Sequence, residues 1–207
     1  NFRASVNTPP ECIAIQNDGK ILLAGSITTV NGIARRGLAR LHPDGSLDEA
    51  FDAQLSSAAL RVSPLDDGKM YVTGQFSTVG GISRPGVVRL LNDGTVDLSF
   101  DTNLPVYSNL PYALQPLPDG SVLVGGNIKV EDDSIRNLVR FFENGTRDTS
   151  YAFTANNTVS AIALLRDGSV LIGGHFTQIN GVSRGRIAKL HADGSVDTTF
   201  STANTAD

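Results

Sequence analysis

The sequence has a single cysteine, no tryptophan and no long apolar run. With Cys12 alone, the chain can form no internal disulfide and no zinc site built on cysteines. No apolar stretch approaches the roughly 20 residues that a transmembrane helix requires, so we expect no membrane insertion. A glycan site usually has an aromatic platform, and the absence of tryptophan counts against such a site.

The sequence also lacks an excess of charge of one sign. Its 21 acidic and 17 basic side chains give a net charge of −4, and they are interleaved along the chain. A domain that follows a nucleic-acid backbone carries a basic patch or stripe, and this sequence has none. We therefore expect no nucleic-acid partner.

What the sequence does contain is repetition. Residues 167–200 read DGSVLIGGHFTQINGVSRGRIAKLHADGSVDTTF, and further copies begin at Asp18, Asp67 and Asp119, the last being degenerate and one residue shorter. A period of about fifty residues is typical of β-propellers and other arrays whose units bury apolar surface against their neighbours. We assign one domain, 1–207, with repeats at residues 2–51, 52–100, 101–151 and 152–200.

Each repeat carries the signals of four short antiparallel strands. Two apolar runs flank an Asp-Gly pair, and this predicts a hairpin because glycine accepts the positive φ of a tight turn. The second run is almost continuously apolar or small, as expected of a strand covered on both faces. A third strand, another turn and a short fourth strand follow. We predict an all-β fold without helix: a β-propeller of four four-stranded antiparallel blades, closed on itself or part of a larger ring.

The first repeat, with DGKILLAG, an Asn-Gly loop, Arg35 and ARLHPDGSLDEAF, resembles the delta-sixty β-propeller repeat of large bacterial secreted and surface proteins. The resemblance extends over all four repeats, and it is loose only in the third. It implies a propeller fold and an extracellular or cell-surface location in a bacterium. It offers no characterised catalytic motif to carry over, and a propeller scaffold does not by itself define a function. We expect no cofactor.

The two ends of the sequence share one phase of the repeat. Phe2 occupies the place that Phe51, Phe100 and Phe200 occupy in the later copies, and the first residue is Asn1. We expect a module of a larger multidomain chain, a processed protein or a subunit of a homo-oligomer.

An arginine stands seventeen positions after the first Asp of every repeat: Arg35, Arg84, Arg136 and Arg184. Because every copy has it, the simplest role is a charge-assisted hydrogen bond from the guanidinium to a turn carboxylate or a loop carbonyl. The alternative is a ring of arginines that holds anionic groups, with Arg184 as the candidate ligand-binding residue.

The second turn of three repeats places oxygen-bearing side chains at alternate positions, as a calcium loop does. Asp44, Ser46 and Asp48 form this pattern in the first repeat. The sixth-position glycine and the closing glutamate of an EF-hand are missing. We interpret these segments as turns in which Asp side chains bind local backbone amides, and we assign no metal ligand and no catalytic residue.

Positions that differ between copies are better candidates for function, because the needs of packing do not explain the differences. The second strand of each repeat contains a pair of small residues, such as Ala24-Gly25 in the first repeat. The residue after this pair is polar in every repeat and different in every repeat: Ser26, Gln75, Asn127 and His175. This set predicts a ligand groove or the mouth of a pore. The alternative is polar capping of a water-filled channel.

The third repeat departs most from the pattern, and the longest connector precedes its first Asp. Tyr107 and Tyr112 lie in this connector beside Pro105 and Pro111. Prolines stiffen a loop and tyrosines provide rigid amphipathic surface, a combination typical of recognition loops. Ordinary drift in a tolerant loop is the alternative.

These observations favour a non-catalytic binding or adhesion module that recognises a glycan or a protein on a cell surface. One alternative is a glycoside hydrolase, which requires two suitably spaced carboxylates in a pocket. Another is a purely structural spacer.

Overall fold

The computed structural model describes residues 2–106, 110–130, 132, 134–151 and 153–200. Within these ranges every regular element is a β-strand, and the strands form four three-stranded sheets and three two-stranded hairpins. Each three-stranded sheet belongs to one repeat and is called blade 1, 2, 3 or 4 in chain order. The predicted all-β propeller fold is confirmed.

The strands follow the same order in every repeat. Repeat one contains β1 (Cys12–Ile15), β2 (Ile21–Ala24), β3 (Thr29–Val30), β4 (Ile33–Ala34) and β5 (Leu38–Leu41). Repeat two contains β6 (Ala59–Pro64), β7 (Met70–Gly74), β8 (Thr78–Val79), β9 (Ile82–Ser83) and β10 (Val87–Leu90). Repeat three contains β11 (Leu110–Pro116), β12 (Val122–Lys129) and β13 (Ile135–Phe141). Repeat four contains β14 (Val159–Leu164), β15 (Val170–Gly174), β16 (Gln178–Ile179), β17 (Val182–Ser183) and β18 (Ile187–Leu190).

The blades are antiparallel, and the second strand is central in each: β1-β2-β5, β6-β7-β10, β11-β12-β13 and β14-β15-β18. The loop between the second and third strands forms a small separate hairpin in repeats one, two and four. In repeat three, β12 and β13 extend into this region instead and form one long hairpin.

The fourth strand expected in each blade is reduced to a single bridge to the third strand. These bridges are Leu41–Leu47, Leu90–Val96, Phe141–Arg147 and Leu190–Val196. In blade 1 the chain leaves the sheet at Asp48, whose amide still donates to the Arg40 carbonyl at 2.9 Å. The Asp48 carboxylate binds basic side chains of its own blade, so the chain turns there rather than continuing as a strand.

The Asp-Gly turns have the geometry that the sequence predicts. Gly19 and Gly45 have φ values of +82° and +91°, which an L-residue adopts only with strain. The Asp44 Oδ1 atom accepts hydrogen bonds from the Ser46 amide at 2.9 Å and from the Ser46 hydroxyl at 2.7 Å. The interpretation of these carboxylates as local turn acceptors is therefore confirmed.

Apolar side chains of successive blades interdigitate to form the core. Leu22 and Leu38 of blade 1 pack with Val62 and Val72 of blade 2, and all four are buried. Similar clusters join blade 2 to blade 3 and blade 3 to blade 4. Blades 2 and 3 are covered on both faces, which explains the continuous apolar runs of their central strands.

The first strands of the blades are the inner strands of the array. β1 contacts β6, β6 contacts β11 and β11 contacts β14 in succession. No comparable packing joins blade 4 to blade 1 among the described residues. The four blades therefore form an open array with a central groove.

None of the described segments forms a helix with the length and apolar character required to cross a membrane.

Candidate functional site

The inner strands of blades 2, 3 and 4 each contain a bulge near their beginning. Register shifts in the pairing with the central strand leave Leu60, Tyr112 and Ser160 as the extra residues. A bulge re-aims a side chain and interrupts regular pairing. The same place in three successive inner strands is thus freed from the ladder.

Glycines of the central strands allow the inner strands to approach closely at this end. A Cβ atom on Gly174 would lie 2.1 Å from the Thr158 carbonyl oxygen, and one on Gly74 would lie 2.3 Å from the Ala58 oxygen. The next residue is then fixed by its backbone, because the His175 amide donates to the Thr158 carbonyl at 2.9 Å. Gly74 and Gly174 therefore have no room for a side chain.

A pocket of about 380 Å³ opens between these inner strands, and we call it the central pocket. It brings together three of the residues singled out in the sequence: Tyr112, Asn127 and His175. Three further residues complete its lining: Arg61, Thr158 and Ser160.

The other candidates lie elsewhere. Ser26 and Gln75 occupy the equivalent places in blades 1 and 2, where both are exposed and neither lines the central pocket. Tyr107 lies outside the described residues. The structure thus groups Asn127 with His175, which is itself exposed, and leaves Ser26 and Gln75 outside the central pocket.

The central pocket presents hydrogen-bonding groups that the protein uses only in part. Thr158 Oγ1 donates to Asn127 Oδ1 at 3.1 Å, so the Asn127 amide nitrogen is available as a donor. Arg61 donates from Nη1 to the Leu60 carbonyl at 2.8 Å. No carboxylate of the described residues lies within ion-pair distance of the Arg61 guanidinium. The site is therefore rich in donors, and it carries a cation without an anionic partner.

Sequence reasoning missed Arg61, Thr158 and Ser160, although part of the signal was present. Ser160 and Tyr112 stand seven positions before the first Asp of their repeats, where the other copies have Glu11 and Leu60. The residue at this position also differs in every copy. The bulges direct Tyr112 and Ser160 into the pocket, and sequence spacing does not reveal the bulges.

The recurring arginines make the contacts that their recurrence predicts. Arg35 is buried and donates to the carbonyl oxygens of Phe51, Ala34 and Glu49 at 3.2, 2.8 and 3.0 Å. Arg184 donates to the carbonyls of Ser183 at 2.9 Å and Asp197 at 3.2 Å. These contacts hold the outer loops of the blades.

Two of these arginines also pair with carboxylates: Arg84 with Asp101 at 2.9 Å, and Arg136 with Asp132 at 3.6 Å. Arg184 does not line the central pocket. A ligand-binding role for Arg184 stays a prediction.

A second basic residue, not singled out in the sequence, forms an ion pair inside each blade. It stands eight positions before an aspartate: Arg40 with Asp48, Arg89 with Asp97, Arg140 with Asp148 and Lys189 with Asp197. Burial alone would raise the pKa of Asp97. Hydrogen bonds from Ser99 and Arg89 and the charge of Arg89 outweigh the burial and lower this pKa to about 2. These pairs are structural and lie away from the central pocket.

A second cavity, of about 560 Å³, lies between blades 3 and 4. Its lining includes Arg136, Arg140, Asp148 and Tyr151. Arg140 pairs with Asp119 and Asp148 and lies over the Tyr151 ring. Because the Arg140 and Asp148 charges are already paired with each other, the central pocket is the better candidate site.

No cluster of three or more His, Cys, Asp or Glu side chains that could hold a metal ion occurs in the described part of the chain.

The family model described as "Domain of unknown function (DUF5122) beta-propeller" matches residues 16–51, 65–100, 117–151 and 165–200. The chain belongs to this family. One match lies within each of the four repeats, and the resemblance to a β-propeller repeat is thereby confirmed. No curated protein matches the sequence.

Solved structures similar to this DUF5122 propeller show the same fold at low identity. Inactive virginiamycin B lyase from Staphylococcus aureus, with quinupristin, has a TM-score of 0.55 and 15% identity, covering 95% of this chain and 59% of its own. A gluconolactonase from Xanthomonas campestris has a TM-score of 0.54 and 15% identity, covering 89% and 59%. An extracellular domain from B. thetaiotaomicron has a TM-score of 0.51 and 17% identity, covering 97% and 22%. The chain thus spans less than two thirds of each of these structures.

Proposed function

We propose that this domain is a binding module that recognises a polar external ligand, a glycan or a protein on a cell surface, in the central pocket. The observation that carries the proposal is the meeting of Tyr112, Asn127 and His175 in one pocket. Asn127 and His175 occupy an equivalent position that differs in every repeat, and Tyr112 is the extra residue of a bulge.

The chemistry of the central pocket fits a ligand with several hydroxyl or amide groups. Asn127, Ser160 and His175 offer donors and acceptors from neighbouring blades, and Tyr112 adds an aromatic ring of the kind that stacks on apolar ligand faces. Unlike groups at equivalent positions of neighbouring blades can recognise an asymmetric ligand. Arg61 extends the set to a carboxylate or another anionic substituent of that ligand.

The location proposed for the module is extracellular or at the cell surface of a bacterium. The resemblance of the repeat to the delta-sixty type of secreted and surface proteins supports this part of the proposal. An extracellular domain among the similar folds is consistent with it.

The composition of the pocket supports binding rather than glycoside hydrolysis. A glycosidase needs two carboxylates across the scissile bond, and none of the described residues that line the central pocket is an aspartate or glutamate. Several similar folds are enzymes by name, so turnover of any glycan that binds is a necessary control.

The test is a glycan array probed with the purified domain, followed by calorimetry with each glycan that binds. Replacing both Asn127 and His175 by Ala removes polar groups from the pocket. Each neutral hydrogen bond lost should cost about 0.5–1.5 kcal/mol of binding free energy, so the double variant should bind clearly more weakly.

Ser26→Ala is the matched control, because Ser26 holds the equivalent place in blade 1 but lies outside the pocket. Its affinity should equal that of the parent. Equal affinity of the parent and the double variant for a ligand that the domain binds would show that the site lies elsewhere. The domain could instead bind no glycan and capture a purified surface protein. If the double variant no longer captures that protein, the ligand is a protein and it binds in the central pocket.

A further inference from the structure

Arg61 differs from the rest of the inner strands because it carries a charge. The described residues of β1, β6, β11 and β14 include no other acidic or basic side chain. The strand register pairs Arg61 with Thr73 of β7, and the residues at the same place in the other blades are small: Cys12, Ala113 and Ala161. A small residue meets the needs of packing in those three blades, so packing does not explain an arginine in the second.

The bulge in β6 gives the Arg61 guanidinium a backbone partner. Leu60 is the extra residue of that bulge, and its carbonyl accepts a hydrogen bond from Arg61 Nη1 at 2.8 Å. This bond ties one nitrogen to the adjacent backbone and holds the guanidinium at the wall of the central pocket. A group that is already held in place loses less freedom when a ligand binds.

The opposite edge of this guanidinium, formed by Nε and Nη2, makes no hydrogen bond or ion pair with the described residues. Neither nitrogen is sealed from solvent, because the buried polar atoms that lack a partner do not include them. β6 contacts β1 on one side and β11 on the other, so both strands beside Arg61 are described. Two adjacent N–H groups in one plane match the two oxygens of a carboxylate. Arg61 therefore offers a two-point binding site for a carboxylate.

The lining of the central pocket leaves this charge uncompensated. Arg61 is the only lysine or arginine among the six lining residues, and none of the six is an aspartate or glutamate. One guanidinium neutralises one carboxylate, so the pocket fits a ligand with a single acidic group at this point.

The neutral groups around Arg61 favour a sugar acid over an acidic side chain of a protein. The pocket volume of about 380 Å³ lies in the range of small-molecule sites. An Asp or Glu side chain would supply the carboxylate but no hydroxyl groups for Asn127, Ser160 and His175. A sugar acid supplies both on one ring, and Tyr112 adds an aromatic face for the apolar side of that ring.

We propose that the ligand of the central pocket is an acidic glycan, and that the carboxylate of one uronic acid residue binds the Nε–Nη2 edge of Arg61. The hydroxyl groups of the same residue bind Asn127, Ser160 and His175. This inference rests on the proposed binding function of the pocket, and it narrows the ligand to a sugar that carries a carboxylate.

The test compares each acidic sugar with its own methyl ester. The probes are trisaccharides of galacturonic, glucuronic and mannuronic acid and their methyl esters, which keep the sugar ring and remove the charge. Calorimetry on the intact chain should show that at least one acid binds. Its ester should bind roughly 10- to 100-fold more weakly, as expected when hydrogen bonds to a charged group are lost.

Arg61→Gln removes the charge and keeps a hydrogen-bonding group. It should weaken binding of the acid by the same factor and leave binding of the ester nearly unchanged, so the preference for the acid disappears. Arg36→Gln is the matched control, because it makes the same change in net charge. Arg36 also donates to a backbone carbonyl, that of Ser56 at 3.4 Å, and it lies outside the central pocket. Circular dichroism checks that both variants fold.

Three results would overturn the proposal: a parent that binds none of the acids, equal binding of acids and esters, or an Arg61→Gln variant that keeps the preference for the acid. A polyglutamate peptide that binds the parent more tightly than any of the acids would overturn the choice of a sugar.

Failure of this inference is distinguishable from failure of the proposed function. Esters or neutral glycans that bind the parent, but not the variant with both Asn127 and His175 replaced by Ala, would overturn only the carboxylate. The central pocket would then remain the binding site.

Discussion

The Arg89 guanidinium pairs with Asp97 of its own blade and also binds the next blade. Its Nε atom donates to the Asp97 carboxylate at 2.8 Å, while Nη1 reaches the Glu143 carbonyl of blade 3 at 2.8 Å. The guanidinium carbon also lies 5.1 Å from the centre of the Phe100 ring. One buried side chain therefore holds the segment that leaves the sheet of blade 2 and fixes the position of blade 3.

Replacing Arg89 by Leu should be strongly destabilising, because it leaves the buried Asp97 carboxylate with only the more distant Lys69 ammonium, at 3.6 Å. Breaking a buried pair in this way costs about 3–5 kcal/mol of unfolding free energy, measurable by urea denaturation. Lys189→Leu is the matched control. The Lys189 ammonium is 3.7 Å from Asp197 and is partly exposed, so its loss should cost at most about 1 kcal/mol. Equal losses in the two variants would contradict the inter-blade role of Arg89.

Stability should fall in acid through Asp97. The pKa of this carboxyl is about 2 in the folded protein, against an ordinary value of 3.8. Between these values the unfolded chain binds a proton that the folded chain does not, so the folded state loses stability as the pH falls. The contribution is complete above about pH 4 and disappears near pH 2.

Urea midpoints measured at intervals from pH 5 to below pH 3 would follow this loss. Asp97→Asn has no titrating group at this position, so its stability should depend less steeply on pH over the same range. Parallel pH profiles for the parent and Asp97→Asn would show that other carboxylates control the acid behaviour.

The two adjacent glycines of β15 should respond differently to the same substitution. A Cβ atom on Gly174 would meet the Thr158 oxygen at 2.1 Å, whereas one on Gly173 would have no neighbour closer than 3.8 Å. Gly174→Ala should therefore cost about 1–3 kcal/mol through overpacking. Gly173→Ala should be neutral or slightly stabilising, because alanine restricts the unfolded chain. Thermal unfolding of the two variants makes the comparison, and the opposite order would misplace the contact between β14 and β15.

Arg35 should not be replaceable by lysine. Its guanidinium donates to three carbonyls in different directions, and a lysine ammonium cannot reproduce this fork. Arg35→Lys should lower the unfolding free energy by about 1.5–3 kcal/mol, the range for hydrogen bonds that involve a charged group. Arg184→Lys should cost less, because Arg184 is less buried. A stable Arg35→Lys variant would argue against a structural role for the recurring arginines.

Much of the fold could be predicted from the sequence because the signals are local and repeated four times. The Asp-Gly turns and the apolar second strands identify each blade, and the side chain of Asp44 binds the turn that its sequence predicts. The reduction of the predicted fourth strand to a single bridge could not be foreseen, because the departure of the chain at Asp48 depends on a basic partner from a neighbouring strand. The pairing of Arg40 with Asp48 depends on the register of those strands.

The candidate site was predicted in part. His175 and Asn127 stand out because equivalent places carry unlike residues, a comparison that needs no structure. Their meeting with Tyr112, Arg61 and Ser160 depends on the bulges and on the contacts between inner strands, which local sequence does not specify.

The sequence alone determined the repeat, the turns, the strand order and the need of each blade for covered faces, since these follow from local backbone preferences and from apolar pattern. Only the tertiary structure decided that the array is open and which side chains meet in the central groove. Those features depend on the rotation from one blade to the next, which many packing contacts determine together. The same packing between blades buries Val62, whereas Ile13 at the equivalent place is exposed.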